Sequence, residues 1–182
     1  MIEIKKKIIC SDGQAFFYHK LLIATGARPL ILHEPKDGIF SFYTLADTVL
    51  LKAWIEQALV KQVVIIGSGL TGIEVADALR IYKIKVTVIE QQEHVLKRHM
   101  DQKAAEILQN VMEKKNGNVL TKTSVKDILY EQGKVIGVLL SDDTMIAADA
   151  VIMALGSVLN SDFAEKSGLV CHEGAIVTDQ FL

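Results

Sequence analysis

A run of four β-branched residues followed at once by a glycine-rich turn constrains the fold of this chain most strongly. Residues 63–66 read Val-Val-Ile-Ile, which is typical of a strand buried on both faces of a parallel sheet. Residues 67–72 then give the pattern G-x-G-x-x-G, and apolar residues recur behind it at helical spacing. In such a turn Gly67 allows a tight bend, Gly69 lets backbone N–H groups approach a pyrophosphate, and Gly72 lets the helix pack close to the strand. The sequence therefore predicts a phosphate site at a helix N-terminus.

A second predicted strand, residues 85–89, ends at the acidic residue Glu90. A carboxylate at this distance from the glycine turn accepts hydrogen bonds from the hydroxyls of an adenosine ribose. The same charge repels a 2′-phosphate, so we expect NAD(H) to be preferred over NADP(H). Lys97 and Arg98 weaken this preference, because nearby cations can accommodate a phosphate. The alternative, a glycine turn in an unrelated α/β protein, is disfavoured by the ordered strand, helix, second strand and acid.

Length and composition are those of one medium-sized domain, or of one domain with parts of another. The chain has 182 residues, half of them apolar, and a net charge of −2 with both signs interspersed, which argues against a nucleic-acid or membrane surface. No apolar run reaches the length of a membrane span and no signal peptide is recognisable. Cys10 and Cys171 lie far apart in the chain, without a C-x-x-C pair. We therefore expect a cytoplasmic protein and no redox dithiol in this segment.

The N-terminal third is predicted to be mainly extended. Residues 2–10 and 14–18 suggest a hairpin, residues 21–24 a short buried strand, and residues 30–43 an irregular loop. Thr44 is a candidate N-cap for a helix over residues 45–59. The predicted apolar side of that helix comprises Ala46, Val49, Leu50, Ala53 and Trp54.

After Glu90 the pattern returns to helix and strand. Asp101 is a candidate N-cap for a helix to about residue 115. Beyond it, residues 118–121 are predicted to form a third parallel strand. Residues 124–130, 134–140 and 144–147 are predicted to form an antiparallel meander, and residues 150–154 a further buried strand.

With these motifs in place, the chain resembles the pyridine nucleotide–disulfide oxidoreductases, and most of all the branch of NADH oxidases, rubredoxin and ferredoxin reductases and nitrite-reductase large subunits. Four segments carry the resemblance, and they follow one another in the order of the family. They are residues 21–29 (Leu-Leu-Ile-Ala-Thr-Gly-Ala-Arg-Pro), residues 67–74 with Glu90, residues 151–156 with Asn160, and residues 174–179 (Gly-Ala-Ile-Val-Thr-Asp).

The resemblance implies an α/β fold, with a Rossmann-like parallel sheet, flanking helices, an antiparallel meander as crossover, and partial segments of a flavin domain. It implies that residues 1–43 are part of an FAD domain and its crossover, residues 44–156 an NAD(H)-binding domain, and residues 157–182 the return toward the FAD domain. In the family, hydride passes from nicotinamide to flavin.

The resemblance also implies roles for single residues. The pyrophosphate would be held by Gly67, Ser68, Gly69, Leu70, Thr71 and Gly72. Glu90 would hold the adenosine ribose and Arg98 would lie near the adenosine. Glu74 and Gly156 would lie at the nicotinamide end. Thr25, Gly26 and Arg28 would touch FAD in the intact enzyme. Each of the last three assignments to NAD has an alternative. Glu74 could be a carboxylate that only suits the start of the helix, Arg98 a solvated charge in a loop, and Gly156 a simple turn at the end of a strand.

The chain lacks the family's first flavin-binding G-x-G-x-x-G, its later A-x-G-D motif and its C-terminal interface domain. We therefore expect a piece of a longer enzyme that binds NADH weakly, carries no FAD and transfers no hydride alone. Its partners would be the missing domains of the same chain, and a dimer is possible. The alternatives are a non-catalytic NAD-sensing module and a stand-alone NAD dehydrogenase, the latter disfavoured because no acid–base group is identifiable.

Other chemistries receive little support from the sequence. Tyr130 and Lys134 match the Y-x-x-x-K spacing of short-chain dehydrogenases, but residues 132–133 (Gln-Gly) predict a hairpin turn between them. The five histidines show no metal-ligand spacing, so no metal site is predicted. A serine-hydrolase G-x-S-x-G motif is absent.

Overall fold

A computed structural model describes residues 6–33, 37–115 and 117–181. The chain divides into two compact units. One unit comprises residues 27–158, and the other comprises residues 1–26 together with residues 159–182. The domain boundaries predicted at residues 43/44 and 156/157 stay a prediction, because compactness does not assign a cofactor to either unit.

The strands of the described residues, in chain order, are β1 (Lys7–Ile9), β2 (Ala15–Phe17), β3 (Ala27–Pro29), β4 (Ile39–Ser41), β5 (Gln62–Ile66), β6 (Lys85–Ile89), β7 (Gly117–Leu120), β8 (Val125–Glu131), β9 (Lys134–Leu140), β10 (Met145–Ala147), β11 (Ala150–Met153), β12 (Ser157–Leu159), β13 (Cys171–His172) and β14 (Ala175–Ile176). The helices are α1 (Leu45–Gln57), α2 (Leu70–Leu79), α3 (Gln102–Lys114) and α4 (Asp162–Lys166). A short 3-10 turn, Arg80–Tyr82, follows α2.

The unit of residues 27–158 is built on a parallel sheet of five strands in the order β4-β11-β5-β6-β7. The predicted strands corresponding to β5, β6, β7 and β11 are confirmed. The irregular loop predicted for residues 30–43 is wrong at β4, which pairs with β11 at the sheet edge. Three residues are too few to show a period in the sequence, so only the pairing with β11 reveals this strand.

Alternate residues of the central strands pack on opposite faces of the sheet. On β5, Val63 and Ile65 pack with α1, α2 and α3, whereas Val64 and Ile66 pack with the antiparallel strands β8 and β9. All four of these side chains are buried. Because both faces are covered, residues 63–66 of this strand are all apolar, as is typical of a parallel strand between two layers. The predicted α/β fold, with a parallel sheet, flanking helices and a meander, is confirmed.

Helix α1 begins where the sequence predicts but presents a different face to the core. The Thr44 hydroxyl accepts from the Asp47 N–H, and the Asp47 carboxylate accepts from the Thr44 N–H, which is a complete capping box. The side chains buried under the helix are Leu51 and Ile55. The predicted face is wrong at Ala46, Val49 and Leu50, which are exposed, Val49 to 58% and Leu50 to 61%. The helix is apolar on several sides, so periodicity does not identify the side that meets the sheet.

The meander is confirmed as a three-stranded antiparallel sheet in the order β10-β9-β8. Its first hairpin turns at Gln132 and Gly133, both with positive φ. Tyr130 and Lys134 therefore lie on two paired strands, where Tyr130 faces Val135 across the ladder. They are not one helical turn apart, as a short-chain dehydrogenase pair would be.

The other unit contains the predicted hairpin of β1 and β2, which pair antiparallel. The short buried strand predicted for residues 21–24 is wrong: the described chain forms no strand there, and Leu22 is 87% exposed. An apolar run forms a strand only where a neighbouring strand completes its hydrogen bonds. In this unit the Thr25 hydroxyl donates to the Asn160 carbonyl at 2.7 Å, and the Asn160 amide donates to the Thr25 carbonyl at 3.0 Å.

None of the described helices combines the length and the apolar character that crossing a lipid bilayer requires.

Candidate functional site

A cleft of about 500 Å³ opens at the carboxyl ends of the parallel strands in the unit of residues 27–158. Strands β5, β6 and β11 lead into its walls, together with the turn 67–71 and the loop 91–99. This edge is where open parallel sheets bind their ligands, because the loops that follow neighbouring strands diverge there. Its lining includes Ile66, Gly67, Ser68, Gly69, Leu70, Thr71, Ile89, Glu90, Gln92, Arg98, Thr123, Ala154 and Gly156.

The three glycines of the turn meet three different surroundings. Gly67 has a φ of +102°, and the carbonyl oxygen of Ala154 occupies the space that a side chain on it would need. A side chain on Gly72 would overlap the carbonyl oxygen of Gly67, so the helix can approach the strand only with glycine there. Nothing lies within 4 Å of the position of a Cβ on Gly69. The turn is therefore closed on its protein side and open at Gly69, as a pyrophosphate site requires.

Helix α2 begins at this opening, and the N–H groups of residues 70–72 have no hydrogen-bond partner among the described residues. Gly69 is its N-cap residue and provides no side-chain cap, and the Ile73 N–H donates to the Gly69 carbonyl at 3.1 Å. The N–H groups of the first turn, before Ile73, have no acceptor within a helix. Together with the positive end of the helix dipole they favour an anion at this position. The residues present therefore fit a dinucleotide pyrophosphate.

The carboxylate of Glu90 is held at the other side of the same cleft by three hydrogen bonds. The Ser68 N–H donates to Oε2 at 2.9 Å and the Ser68 hydroxyl donates to the same oxygen at 2.6 Å. The Gln92 N–H donates to Oε1 at 2.8 Å. Ser68 is almost wholly buried, whereas Glu90 is partly exposed. The carboxylate is thus fixed in orientation while it still lines the cleft.

The backbone N–H of Ser68 has a different partner from the one that the sequence predicts. The sequence predicts that the Ser68 amide takes part in holding a pyrophosphate, but in the structure this N–H donates to Glu90. The role of the remaining amides, from Gly69 to Thr71, stays a prediction. The Ser68–Glu90 contact has no signature in the sequence, because the two residues lie 22 positions apart and meet only through the pairing of β5 with β6.

The loop after Glu90 is attached to the glycine turn. The Leu96 N–H donates to the Ser68 carbonyl at 3.1 Å, and the buried His94 ring contacts the Val95 carbonyl through Nδ1 at 2.9 Å. This attachment brings exposed Arg98 to the cleft wall. Lys97 forms an ion pair with Glu93 at 3.5 Å. Both predicted cations, Lys97 and Arg98, therefore line the cleft, and Lys97 also has an acidic partner on its own loop.

Other predicted site residues fall outside this cleft lining. Glu74 is exposed on α2 and Gly72 is buried beneath the turn. Thr25 and Gly26 belong to the other compact unit, and Arg28 lies on β3. Gly156, by contrast, does line the cleft, with a φ of +93°.

Two lining features were not predicted. The Gln92 N–H donates to Glu90, and Thr123, in the loop after β7, donates its N–H to the Glu90 carbonyl at 3.0 Å. The first contact is local but has no sequence signal, because the turn in which a side chain accepts the N–H two residues on is characteristic of Asp and Asn and not of Glu. The second contact depends on the pairing of β6 with β7 and leaves no trace in the sequence.

Comparisons with known proteins show which family the chain matches. A family model described as pyridine nucleotide-disulphide oxidoreductase matches residues 1–182. The chain is 32% identical to a nitrite reductase [NAD(P)H] of Bacillus subtilis, over 98% of this chain and 22% of that protein. It is 33% identical to an NADH oxidase of Methanocaldococcus jannaschii, over 97% of this chain and 40% of that protein.

Among solved structures, a ferredoxin reductase from Rhodopseudomonas palustris superposes with a TM-score of 0.88 at 28% identity, covering 96% of this chain and 43% of that one. The chain therefore spans less than half the length of each of these three relatives.

Proposed function

Because the chain belongs to the pyridine nucleotide-disulphide oxidoreductase family, we propose that residues 27–158 bind a nicotinamide dinucleotide in the cleft, with NADH preferred over NADPH. Membership of this family supports a redox role.

One observation carries the proposal: a fixed carboxylate and a row of free helix N–H groups face the same cleft. The N–H groups at the start of α2 would bind the pyrophosphate, since nothing covers Gly69. Glu90 would accept hydrogen bonds from the adenosine ribose, since Ser68 and Gln92 already hold its carboxylate in place. A 2′-phosphate would be repelled by the same charge, which supports the preference for NADH.

We propose that the nicotinamide half of the ligand lies where residues 155 and 156 line the cleft. Leu155 and Gly156 follow β11 and line the cleft there. The positive φ of Gly156 bends the chain, and nothing lies within 4 Å of the position of a Cβ on it, so a ligand ring can approach the backbone closely. Glu74 stays a proposed contact for this half of the ligand. When bound, the nicotinamide would supply a hydride to a flavin.

For the flavin we propose that this chain contributes only part of a site, through Thr25, Gly26 and Arg28. The share of the relatives' length that the chain covers, 22% to 43%, supports its working within a longer polypeptide with further FAD and C-terminal domains. We propose that the chain alone binds NADH weakly, retains no FAD and transfers no hydride. A purified chain that is yellow with stoichiometric FAD would contradict this part of the proposal.

The test is a parallel titration of the chain with NADH and NADPH, followed by nicotinamide fluorescence or calorimetry. We expect tighter binding of NADH. Glu90→Ala should weaken NADH by about tenfold, as expected for loss of a hydrogen bond to a charged acceptor, and should narrow the gap to NADPH.

Asp101→Ala is a matched control, because Asp101 caps α3 outside the cleft lining and its loss removes a carboxylate without touching the ligand. Equal affinities for NADH in the wild type and Glu90→Ala would rule out the ribose role of Glu90. Absence of any NADH binding would rule out the dinucleotide site.

A further inference from the structure

Ser68 is tied to Glu90 by its side chain as well as by its backbone. Its hydroxyl donates to Oε2 at 2.6 Å, a short hydrogen bond of the charge-assisted kind, and its N–H donates to the same oxygen at 2.9 Å. The residue is 1% exposed, so water cannot replace either donor without rearrangement of the turn. The hydroxyl therefore contributes to the orientation of the carboxylate beyond what any residue's amide supplies at this position.

The contact with Ser68 leaves the two carboxylate oxygens of Glu90 with different numbers of hydrogen bonds. A carboxylate oxygen has about two acceptor positions. Both positions on Oε2 are taken by Ser68, whereas Oε1 accepts one hydrogen bond from the Gln92 N–H at 2.8 Å. Among the described residues one acceptor position on Oε1 thus remains for a ligand hydroxyl.

We propose that Ser68 is a positioning residue that sets the preference for NADH over NADPH through its hydroxyl. By holding Oε2, the hydroxyl directs Oε1 toward one ribose hydroxyl and keeps the negative charge where a 2′-phosphate would have to lie. This inference rests on the proposed function, because it requires the dinucleotide to bind in the cleft with its ribose at Glu90.

A purely structural role for the Ser68 hydroxyl makes a different prediction. If it served only to complete the turn, its removal would lower stability and weaken both dinucleotides alike. If it positions Glu90, its removal changes the ratio of the two affinities, and that change depends on the Glu90 carboxylate. The ratio of the NADPH to the NADH dissociation constant is therefore the measurement that separates the two roles.

The experiment titrates NADH and NADPH into the wild type, Ser68→Ala, Ser68→Cys, Glu90→Gln and the double variant Ser68→Ala/Glu90→Gln. In Ser68→Ala we expect the ratio to fall about three- to tenfold, chiefly through weaker NADH binding, as for one lost hydrogen bond to a charged acceptor. Ser68→Cys, with a similar size and a weaker donor, should give an intermediate ratio. In the Glu90→Gln background, Ser68→Ala should leave the ratio unchanged.

Thr87→Val is the matched control, because Thr87 is also a buried polar residue, on β6, and forms no hydrogen bond with the Glu90 carboxylate in the described chain. It should leave the ratio of the wild type intact, and melting curves of all variants check that the unit remains folded. If Ser68→Ala has the same ratio of NADPH to NADH dissociation constants as the wild type, while Glu90→Gln lowers that ratio, the inference about Ser68 is overturned. The proposed function would then still stand. A wild-type chain that binds neither dinucleotide would overturn both.

Discussion

The carbonyl oxygen of Gly67 lies in the space that a side chain on Gly72 would occupy. Because Gly72 has no side chain, α2 can lie close to the end of β5. Because the obstructing atom belongs to the backbone, it cannot turn aside as a flexible side chain would. We expect Gly72→Ala to lower the free energy of unfolding by about 2 kcal/mol or more, as for other overpacked sites, measured by chemical denaturation.

Gly69 provides the control within the same turn, since nothing lies within 4 Å of the place where its Cβ would be and its φ is negative. Gly69→Ala should change the free energy of unfolding by less than about 1 kcal/mol. It should nevertheless weaken NADH, because the new methyl group projects where the pyrophosphate is proposed to lie. Equal stability losses in the two variants would show that the difference between the glycines is not one of space.

Arg98 should affect the two dinucleotides unequally. Arg98 and its neighbour Lys97 both line the cleft on the loop after Glu90, but Lys97 also forms an ion pair with Glu93. Arg98→Ala should therefore weaken NADPH about threefold more than NADH, because only NADPH has a 2′-phosphate for the guanidinium to contact. The measurement is a titration with each dinucleotide at low ionic strength, with Lys97→Ala as the comparison. A uniform loss for both ligands would place Arg98 away from the adenosine.

Asp149 should matter to the stability of the sheet. Its Oδ2 accepts from the Lys61 N–H at 2.8 Å and from the Gln62 N–H at 2.9 Å, which joins the start of β5 to the residue before β11. Asp149→Ala should cost about 1 to 3 kcal/mol of unfolding free energy, because two backbone donors lose a charged acceptor. Asp149→Asn, which keeps an acceptor oxygen, should recover part of that loss; no recovery would assign the effect to charge alone.

Asp47 should make the stability of the chain depend on pH in the acid range. Partial burial acts to raise the pKa of its carboxyl group, but hydrogen bonds from the Thr44 and Tyr43 N–H groups outweigh burial and hold the pKa below the usual 3.8. A carboxyl group with a lowered pKa in the folded state stabilises that state above pH 3.8, and the contribution is lost as pH falls through the folded pKa.

Asp47→Asn should therefore lower the free energy of unfolding by about 1 kcal/mol at pH 7, as for loss of a helix cap. The difference from the wild type should shrink when the same denaturation is measured below pH 3. A difference that stays constant with pH would assign the effect to the geometry of the cap and not to the charge.

The central unit of the fold was predictable because its signals are local. Strand β5, the glycine turn, α2 and β6 follow one another in the sequence, and each has its own period or composition. The segment 21–24 and the buried face of α1 were not predictable in the same way. Leu22 and Leu50 are both apolar and both exposed, and their position depends on what other parts of a fold cover.

The candidate site also combines residues that local sequence patterns predict with contacts that depend on strand pairing. The glycines and Glu90 are recognisable from spacing, and the structure places Gly67, Gly69 and Glu90 around one cleft. The contact between Ser68 and Glu90 depends on the register of β5 against β6, in which Ile66 pairs with Ile89. A sequence fixes such a register only through the whole sheet, so a hydrogen bond between two loops that follow it cannot be deduced in advance.

Strand β11 is inserted between β4 and β5, although it follows both of them in the chain by a long stretch that includes β6 to β10. On a ribosome, β4 and β5 emerge early and have no direct pairing with each other to stabilise them. They can be joined only after residues 150–153 have left the exit tunnel, and the same residues lead into one wall of the cleft. Translation therefore delays completion of this sheet until β11 has emerged.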